Sequence, residues 1–429
     1  MMQREESFPE YYAKQSPVPF YVLLSMFLIS NMLLVVCFRQ PLAGYVQPVR
    51  RMINAAVLTL STMYTAFHLL LWKLKPATAA AGAGLIIAVG LGWNFIGRTG
   101  EFFCTAIAAF LAVLACRRDF RAILKIVLAC HIVTMLIGAV GLAAGFTMLR
   151  YKVDAPGVGY SMGLIYPNHV GRMAFLAFMI IWYLWGQEKR FLTLAAGVLL
   201  SAVMWYKVEC KTISFFLVGF PVCWYIVTFW TRLKKKGPAA DAFGKIWRAA
   251  FIAMPFLCMG LTWFLGKKRA FFLEHWHYGQ SAFALWMRFI SAGILFKNYG
   301  FPLLGRDITK ENAIFEINNG QVYEAAIVDN AYIYYLIAIG GIALILCMLW
   351  FSLGVYRAFR NQDYAFVLMS FFMCGYGLIE VVFFQFEHNF LIFYPLTATA
   401  LAYKAAAGTE EAGTKAAGTE ETAGETAEE

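Results

Sequence analysis

The chain has 429 residues, 61% hydrophobic and 14% charged, with mean hydropathy +0.63, whereas soluble domains carry about 25% charged residues. That balance excludes a water-soluble globular enzyme and predicts a polytopic membrane protein. The formal charge is +11, but the segment from Ala405 onward holds seven Glu and one Lys, −6, which leaves +17 for the rest. The basic excess suits anionic lipid or an anionic substrate. Nucleic acid is not expected, because no basic stripe lies on a polar helix or beside an aromatic single-strand platform.

A span needs about 20 mainly apolar residues to cross roughly 30 Å of hydrocarbon. Residues 1–19 carry no small-residue cleavage site after the first apolar run, so they are read as a cytoplasmic N-terminus before a retained span. About twelve spans follow, giving an all-α polytopic membrane fold. The first nine fall at residues 20–38, 53–72, 77–97, 102–116, 122–148, 166–185, 191–206, 212–230 and 249–266. Residues 267–329 form one long polar loop between spans nine and ten, and the last three spans fall at 330–351, 364–384 and 390–403. The tail, 405–429, repeats Ala-Gly-Thr-Glu-like units and has no aliphatic side chain larger than Ala, so it is expected to be disordered. The nine cysteines are scattered through apolar runs with no metal-ligand spacing, and no metal or other cofactor is expected.

Lys and Arg in short loops are retained on the cytoplasmic side. With the N-terminus inside, Lys73, Lys75, Arg117, Arg118, Arg121, Lys189, Arg190, Arg232, Lys234, Lys235, Lys236, Arg357 and Arg360 all fall in inner loops. Arg39, Arg50 and Arg51, in the first outer loop, do not fit. Both termini are then cytoplasmic, and the long loop is extracytoplasmic.

Polar residues gather at the outer ends of four stretches. The sixth span opens Tyr166-Pro167-Asn168-His169-Val170-Gly171-Arg172, where Pro suits a helix start and Asn168 and Arg172 share a face. Lys207, Glu209, Lys211 and Thr212 crowd the hairpin between spans seven and eight, the long loop supplies Arg288, and Asp329-Asn330 open the tenth span. Each has a plainer reading. Lys207 at a span end snorkels to headgroups in many proteins, Asp329-Asn330 are favoured helix caps, and His131 mid-span reads as a hydrogen-bonded packing residue. Glu274-His275-Trp276-His277-Tyr278 lacks a specific metal spacing, and nothing in the sequence fixes Glu380, Glu387 and His388 in a site. Residues 281–296, short for a span with Arg288 in the middle, read as a helix dipping into the outer leaflet.

The order Gly163-Leu164-Ile165-Tyr166-Pro167-Asn168-His169-Val170-Gly171, Lys211-Thr212, Arg288 with Leu303-Leu304-Gly305, Asp329-Asn330-Ala331-Tyr332 and Gly340-Gly341 resembles the O-antigen polymerase and ligase family. The resemblance covers roughly Arg150 to Leu349. It implies a metal-independent glycosyltransferase of a bacterial capsule or exopolysaccharide system, working on polyprenyl-diphosphate-linked sugars at the outer face of the cytoplasmic membrane. Implied partners are that lipid-linked oligosaccharide, membrane lipid, and chain-length-regulator and flippase proteins. Lys211 stands where the family more often has Arg, which keeps charge but loses bidentate phosphate geometry. Asp329 stands where the ligase branch typically has His, which favours the polymerase branch.

A diphosphate leaving group needs its developing charge stabilised, and an acceptor hydroxyl needs a general base. The expected substrate-binding residues are therefore Arg172, Lys211, Arg288, Asn168, Asn330 and Arg150, and the expected catalytic residues are Asp329 and His169. The competing classes are a ligase, a lipid-linked-sugar flippase, for which no internal repeat is visible, and a membrane acyltransferase, which the His-poor inner loops disfavour.

Overall fold

A computed structural model describes residues 16–71, 107–108, 110–112, 114–115, 118–149, 151–154, 157–187, 189–233, 238–275, 283–305, 313–317, 321–325, 329–385 and 388–397. Within these residues the fold is helical. Five helical stretches are long and apolar enough to cross a membrane: Val18–Val35, Phe120–Ala143, Pro167–Gly186, Lys211–Phe229 and Gly341–Arg360. The pair Gly244–Ile252 and Met254–Lys267, bent by 69°, makes a sixth if taken as one broken span. The expected third span, most of the fourth, the tail and Arg150 lie outside the described residues.

In chain order the helices are α1 (Val18–Met32), α2 (Leu42–Leu71), α3 (Phe120–Ala143), α4 (Pro167–Ile181), α5 (Arg190–Tyr206), α6 (Lys211–Leu233) and α7 (Pro238–Ile252). They continue with α8 (Met254–Lys267), α9 (Arg269–His275), α10 (Phe283–Tyr299), α11 (Ala331–Ala338), α12 (Gly341–Arg360) and α13 (Tyr364–Gly377). Two antiparallel hairpins sit in connections: β1 (Tyr151–Asp154) with β2 (Gly157–Tyr160), and β3 (Ala313–Ile317) with β4 (Gln321–Ala325).

Local sequence explains several boundaries. Pro167 occupies the first turn of α4, where its missing N–H costs nothing. Asp119, Asn330 and Asp363 accept backbone N–H bonds at the starts of α3, α11 and α13, each satisfying donors that the first helical turn leaves open.

The long apolar run at 330–351 differs from the single span expected there. It breaks into α11 and α12 at Gly340, whose φ is +87°. A side chain at that position would strike the Leu303 and Leu304 backbone. The turn that follows α10 packs into the break, with Gly341 N–H donating to Pro302 O at 2.8 Å. Only glycine takes this backbone conformation without strain, so the Gly340-Gly341 pair marks a helix break inside a hydrophobic stretch.

The run at 364–384 is also not one continuous helix. After Gly377 the chain turns through Leu378-Ile379-Glu380 into a single 3-10 turn, Val381–Phe384. Within the expected final span, 390–403, the described residues form a 3-10 segment, Phe390–Leu396, and residues 398–403 lie outside the described residues. Of residues 281–296, read as a leaflet-bound helix, 283–296 belong to α10, which packs against α8 and α9. Phe272 stacks on Trp286 at 4.4 Å, and Arg269 Nη1 donates to Gly293 O at 3.0 Å.

The centre of the bundle is aromatic. Phe175 of α4, Phe216 and Phe220 of α6, and Phe372 and Tyr376 of α13 meet edge-on or tilted, with centroids 5.2 to 6.5 Å apart. Lipid tails are as apolar as these rings, so close packing rather than water exclusion holds such helices together. Aromatic pairs add about 0.5–1.5 kcal/mol each. Because α4 and α13 run antiparallel through this core, the start of α4 and the end of α13 come to the same end of the bundle.

Candidate functional site

The segment Leu378-Ile379-Glu380, just past α13, is held at every residue by a side chain from a different part of the chain. Asn330 Nδ2 donates to Leu378 O at 3.1 Å. Arg288 Nε donates to Ile379 O at 2.6 Å. Asn168 Nδ2 reaches Glu380 Oε1 at 3.4 Å. Three of the sequence-predicted residues, from α4, α10 and the start of α11, thus converge on three consecutive residues to which the sequence assigns no role.

Around this hub the cationic groups fall into two sets. Arg288 also pairs with Asp329, Nη2 to Oδ2, at 3.5 Å, with the Asp329 side chain 37% exposed. Arg172, one turn into α4, is 5% exposed. Its Nη1 donates to Gln385 Oε1 at 3.2 Å and its Nη2 to His169 Nδ1 at 2.6 Å, while its Nε is buried without a hydrogen-bond partner. Both groups that pair with Arg172 by hydrogen bond are formally neutral. A guanidinium held this way keeps its charge for something else.

Histidines close the far side of Arg172. The His169 ring is stacked by Tyr166 at 5.9 Å. His131 and His388 face each other at 6.0 Å between ring centroids. His131 Nδ1 donates to Val127 O at 2.8 Å, as its packing role leads one to expect, but His131 Nε2 and His388 Nδ1 are buried without partners. Burial, together with the nearby Arg172 charge, pushes the His388 imidazole well below its usual range, so it is neutral at pH 7.

The two carboxyls differ. Burial, helped by the charge on Asp329, pushes Glu380 up to about 7, against the opposing effects of Arg288, Arg172 and the Asn168 hydrogen bond. Glu380 therefore titrates near neutrality, whereas Asp329 is ion-paired and half open to its surroundings.

Asn330 is fully buried. Besides capping α11, it donates to Thr262 Oγ1 of α8 at 3.2 Å, so it ties α8, α11 and the hub together. Lys211 is not brought into the cluster. It starts α6 on the exposed rim, with Nζ 5.7 Å from the Trp205 ring centroid. Its neighbour Cys210 lies against Gly171, where a Cβ would come within 2.6 Å of the thiol, so this hairpin abuts the turn that carries Arg172 while the lysine itself faces outward.

Of the Glu274-to-Tyr278 stretch, residues 276–278 lie outside the described residues, and His275 Nδ1 bonds Phe271 O at 2.9 Å. Among the described residues, no group of three or more His, Cys, Asp or Glu is placed to hold a metal ion.

Of the remaining members, Glu380 and His388 stand in the sequence as residues that could join the site without anything fixing them there, and Gln385 is the one that sequence reasoning missed. For Glu380 a signal was present: it is the only charged residue in the apolar run 364–384, and an ionisable residue inside such a run is a functional candidate by default. Gln385 and His388 carried no comparable signal.

No family model, curated protein or solved structure matches the chain.

Proposed function

We propose that the chain is a metal-independent membrane glycosyltransferase that polymerises oligosaccharide repeats carried on polyprenyl diphosphate, at the outer face of a bacterial cytoplasmic membrane. The observation that supports this reading best is the convergence of Arg172 and Arg288, 116 residues apart in the chain, on the segment from Ile379 to Gln385 that carries Glu380, at one end of an apolar bundle. Arg172, buried among neutral partners, and Arg288 receive the negative charge that builds on the diphosphate as the glycosidic bond breaks. Preorganised cations of this kind are worth about a hundredfold or more in rate. A carboxyl of the Asp329–Glu380 pair takes the proton from the acceptor hydroxyl. Asn330 and Asn168 hold the turn, and His169 fixes the orientation of the Arg172 guanidinium. Lys211 lies at the rim, where lipid headgroups and the approaching diphosphate pass.

The clustering of charges at one end of the bundle weighs against a flippase, which needs them along a path through the membrane. The test is to incubate the purified, reconstituted protein with a defined polyprenyl-diphosphate-linked repeat and resolve the products by size. A ladder of lipid-linked oligomers is expected. Transfer to a second acceptor without a ladder would mean a ligase, and lipid scrambled across vesicles without product would mean a transporter.

A further inference from the structure

Resting on that reading, we infer that Glu380, rather than Asp329, is the proton acceptor for the incoming sugar hydroxyl, and that Asp329 serves to hold Arg288.

The argument starts from position. Glu380 stands at the centre of the hub. The carbonyl of the preceding residue is fixed by Arg288, and its own carboxyl is touched by the Asn168 amide. Its backbone N–H is anchored on Tyr376 O at 2.9 Å. The carboxyl is therefore held on a rigid turn between the two guanidinium groups, where a hydroxyl must lie to attack a sugar whose diphosphate those groups hold. Asp329 pairs with Arg288 at 3.5 Å, with its side chain 37% exposed.

Charge argues the same way. Asp329 is already engaged by the Arg288 guanidinium at 3.5 Å. Glu380 is partly buried beside the negative Asp329 and titrates at about 7, the range that best balances availability and proton affinity near neutral pH. The titratable and charged groups acting on Glu380 are Arg172 from α4, Arg288 from α10, Asp329 ahead of α11 and Tyr376 of α13.

In the step, the acceptor O–H bond breaks and its proton passes to the Glu380 carboxylate. The acceptor oxygen bonds the anomeric carbon as the anomeric carbon–oxygen bond to the diphosphate breaks. Polyprenyl diphosphate leaves with that electron pair, and Glu380 then gives its proton to water.

The experiment compares wild type, Glu380→Gln, Glu380→Asp and Asp329→Asn, reconstituted with the polyprenyl-diphosphate-linked repeat. Ladder formation is followed from about pH 5.5 to 8.5, a range that brackets a base titrating near 7. Wild-type kcat should rise with pH through about 7. Glu380→Gln should lose a hundredfold or more in kcat with KM for the donor nearly unchanged, Glu380→Asp should recover part of the rate, and Asp329→Asn should raise donor KM more than it lowers kcat. A wild-type ladder whose kcat is flat over that range, or a Glu380→Gln variant at the native rate, overturns the assignment while leaving the polymerase reading intact. The wild-type profile decides even if the glutamine variant fails to fold. A wild type that makes no product overturns the polymerase reading, and the assignment with it.

Discussion

Helix α13 carries a carboxyl just beyond each end, Asp363 before its first residue and Glu380 three residues after its last, with 14 helical residues between them, a helix roughly 21 Å long at 1.5 Å per residue. Both are pushed upward by burial, yet they are treated in opposite ways. Asp363 is bonded on all sides: Phe366 N–H donates to it at 3.0 Å, Tyr183 OH at 2.6 Å and Tyr394 OH at 3.1 Å. The basic residues around it are occupied too, with Arg121 Nη2 bonding Leu184 O at 2.7 Å and Arg357 bonding Pro395 O. Buried polar atoms without a hydrogen-bond partner occur at both ends, Arg172 Nε, His131 Nε2 and His388 Nδ1 toward Glu380 and Trp182 Nε1 beside Tyr183. What separates the ends is the carboxyls themselves: three donors hold Asp363, whereas Glu380 Oε1 has the longer Asn168 contact at 3.4 Å.

The largest effect that would sharpen this contrast is at Arg172. Arg172→Ala should lower ladder formation a hundredfold or more with the fold intact by circular dichroism. Arg172→Lys should recover only part, because a lysine cannot bridge Gln385 and His169 with a planar fork. At the other end, Asp363→Ala should cost stability instead. It removes the cap of α13 (about 1 kcal/mol) and leaves two tyrosine hydroxyls without their acceptor (about 1–3 kcal/mol each). The expected result is a lower melting temperature in detergent and turnover per folded molecule within about threefold of wild type. If Asp363→Ala instead kept its melting temperature and lost turnover, the division between the two ends would be wrong.

The sequence displayed these ends unequally. Helices α3 to α6 and α12 were legible because long apolar runs bounded by Asp119, Pro167 and clusters of Lys and Arg leave little choice in a bilayer. Arg172, Arg288, Asp329 and Asn330 stood out as polar residues at the ends of such runs, and the structure brings all four to one place. The breaks were not legible. Gly340 looks like any glycine in a hydrophobic stretch until the Leu303–Leu304 backbone is known to lie against it, which is a contact across 36 positions. The same limit hid the hub. Hydropathy averaged Glu380 into a span, whereas the turn at Leu378-Ile379-Glu380 exists because three side chains from elsewhere in the chain bond it.

A smaller effect separates the ends by pH. The folded protein holds the Glu380 proton up to about 7, against an ordinary carboxyl near 4.5. Between those values the unfolded chain has lost a proton that the folded chain keeps, so this carboxyl makes stability fall as pH rises through the window and has no further effect above it. Asp363 is shifted in the same direction, so wild type alone cannot apportion the slope. Glu380→Gln should flatten the part due to Glu380 and leave the rest, as read from melting temperatures at several pH values. An unchanged slope would mean that the carboxyl at the site end is not held protonated by its surroundings.

The smallest expected effect is at Lys211. The resemblance gives it a place in diphosphate binding, but the side chain lies on the exposed rim over Trp205, and a solvent- or headgroup-facing ammonium contributes little through long-range attraction at ordinary salt. Lys211→Ala should raise donor KM less than tenfold, with the difference shrinking as salt is added, and leave kcat unchanged. A hundredfold loss in kcat would instead mean that the α5–α6 hairpin swings inward when substrate binds, bringing a third cation to Arg172 and Arg288. The tight seat of Cys210 against Gly171 would then have to open.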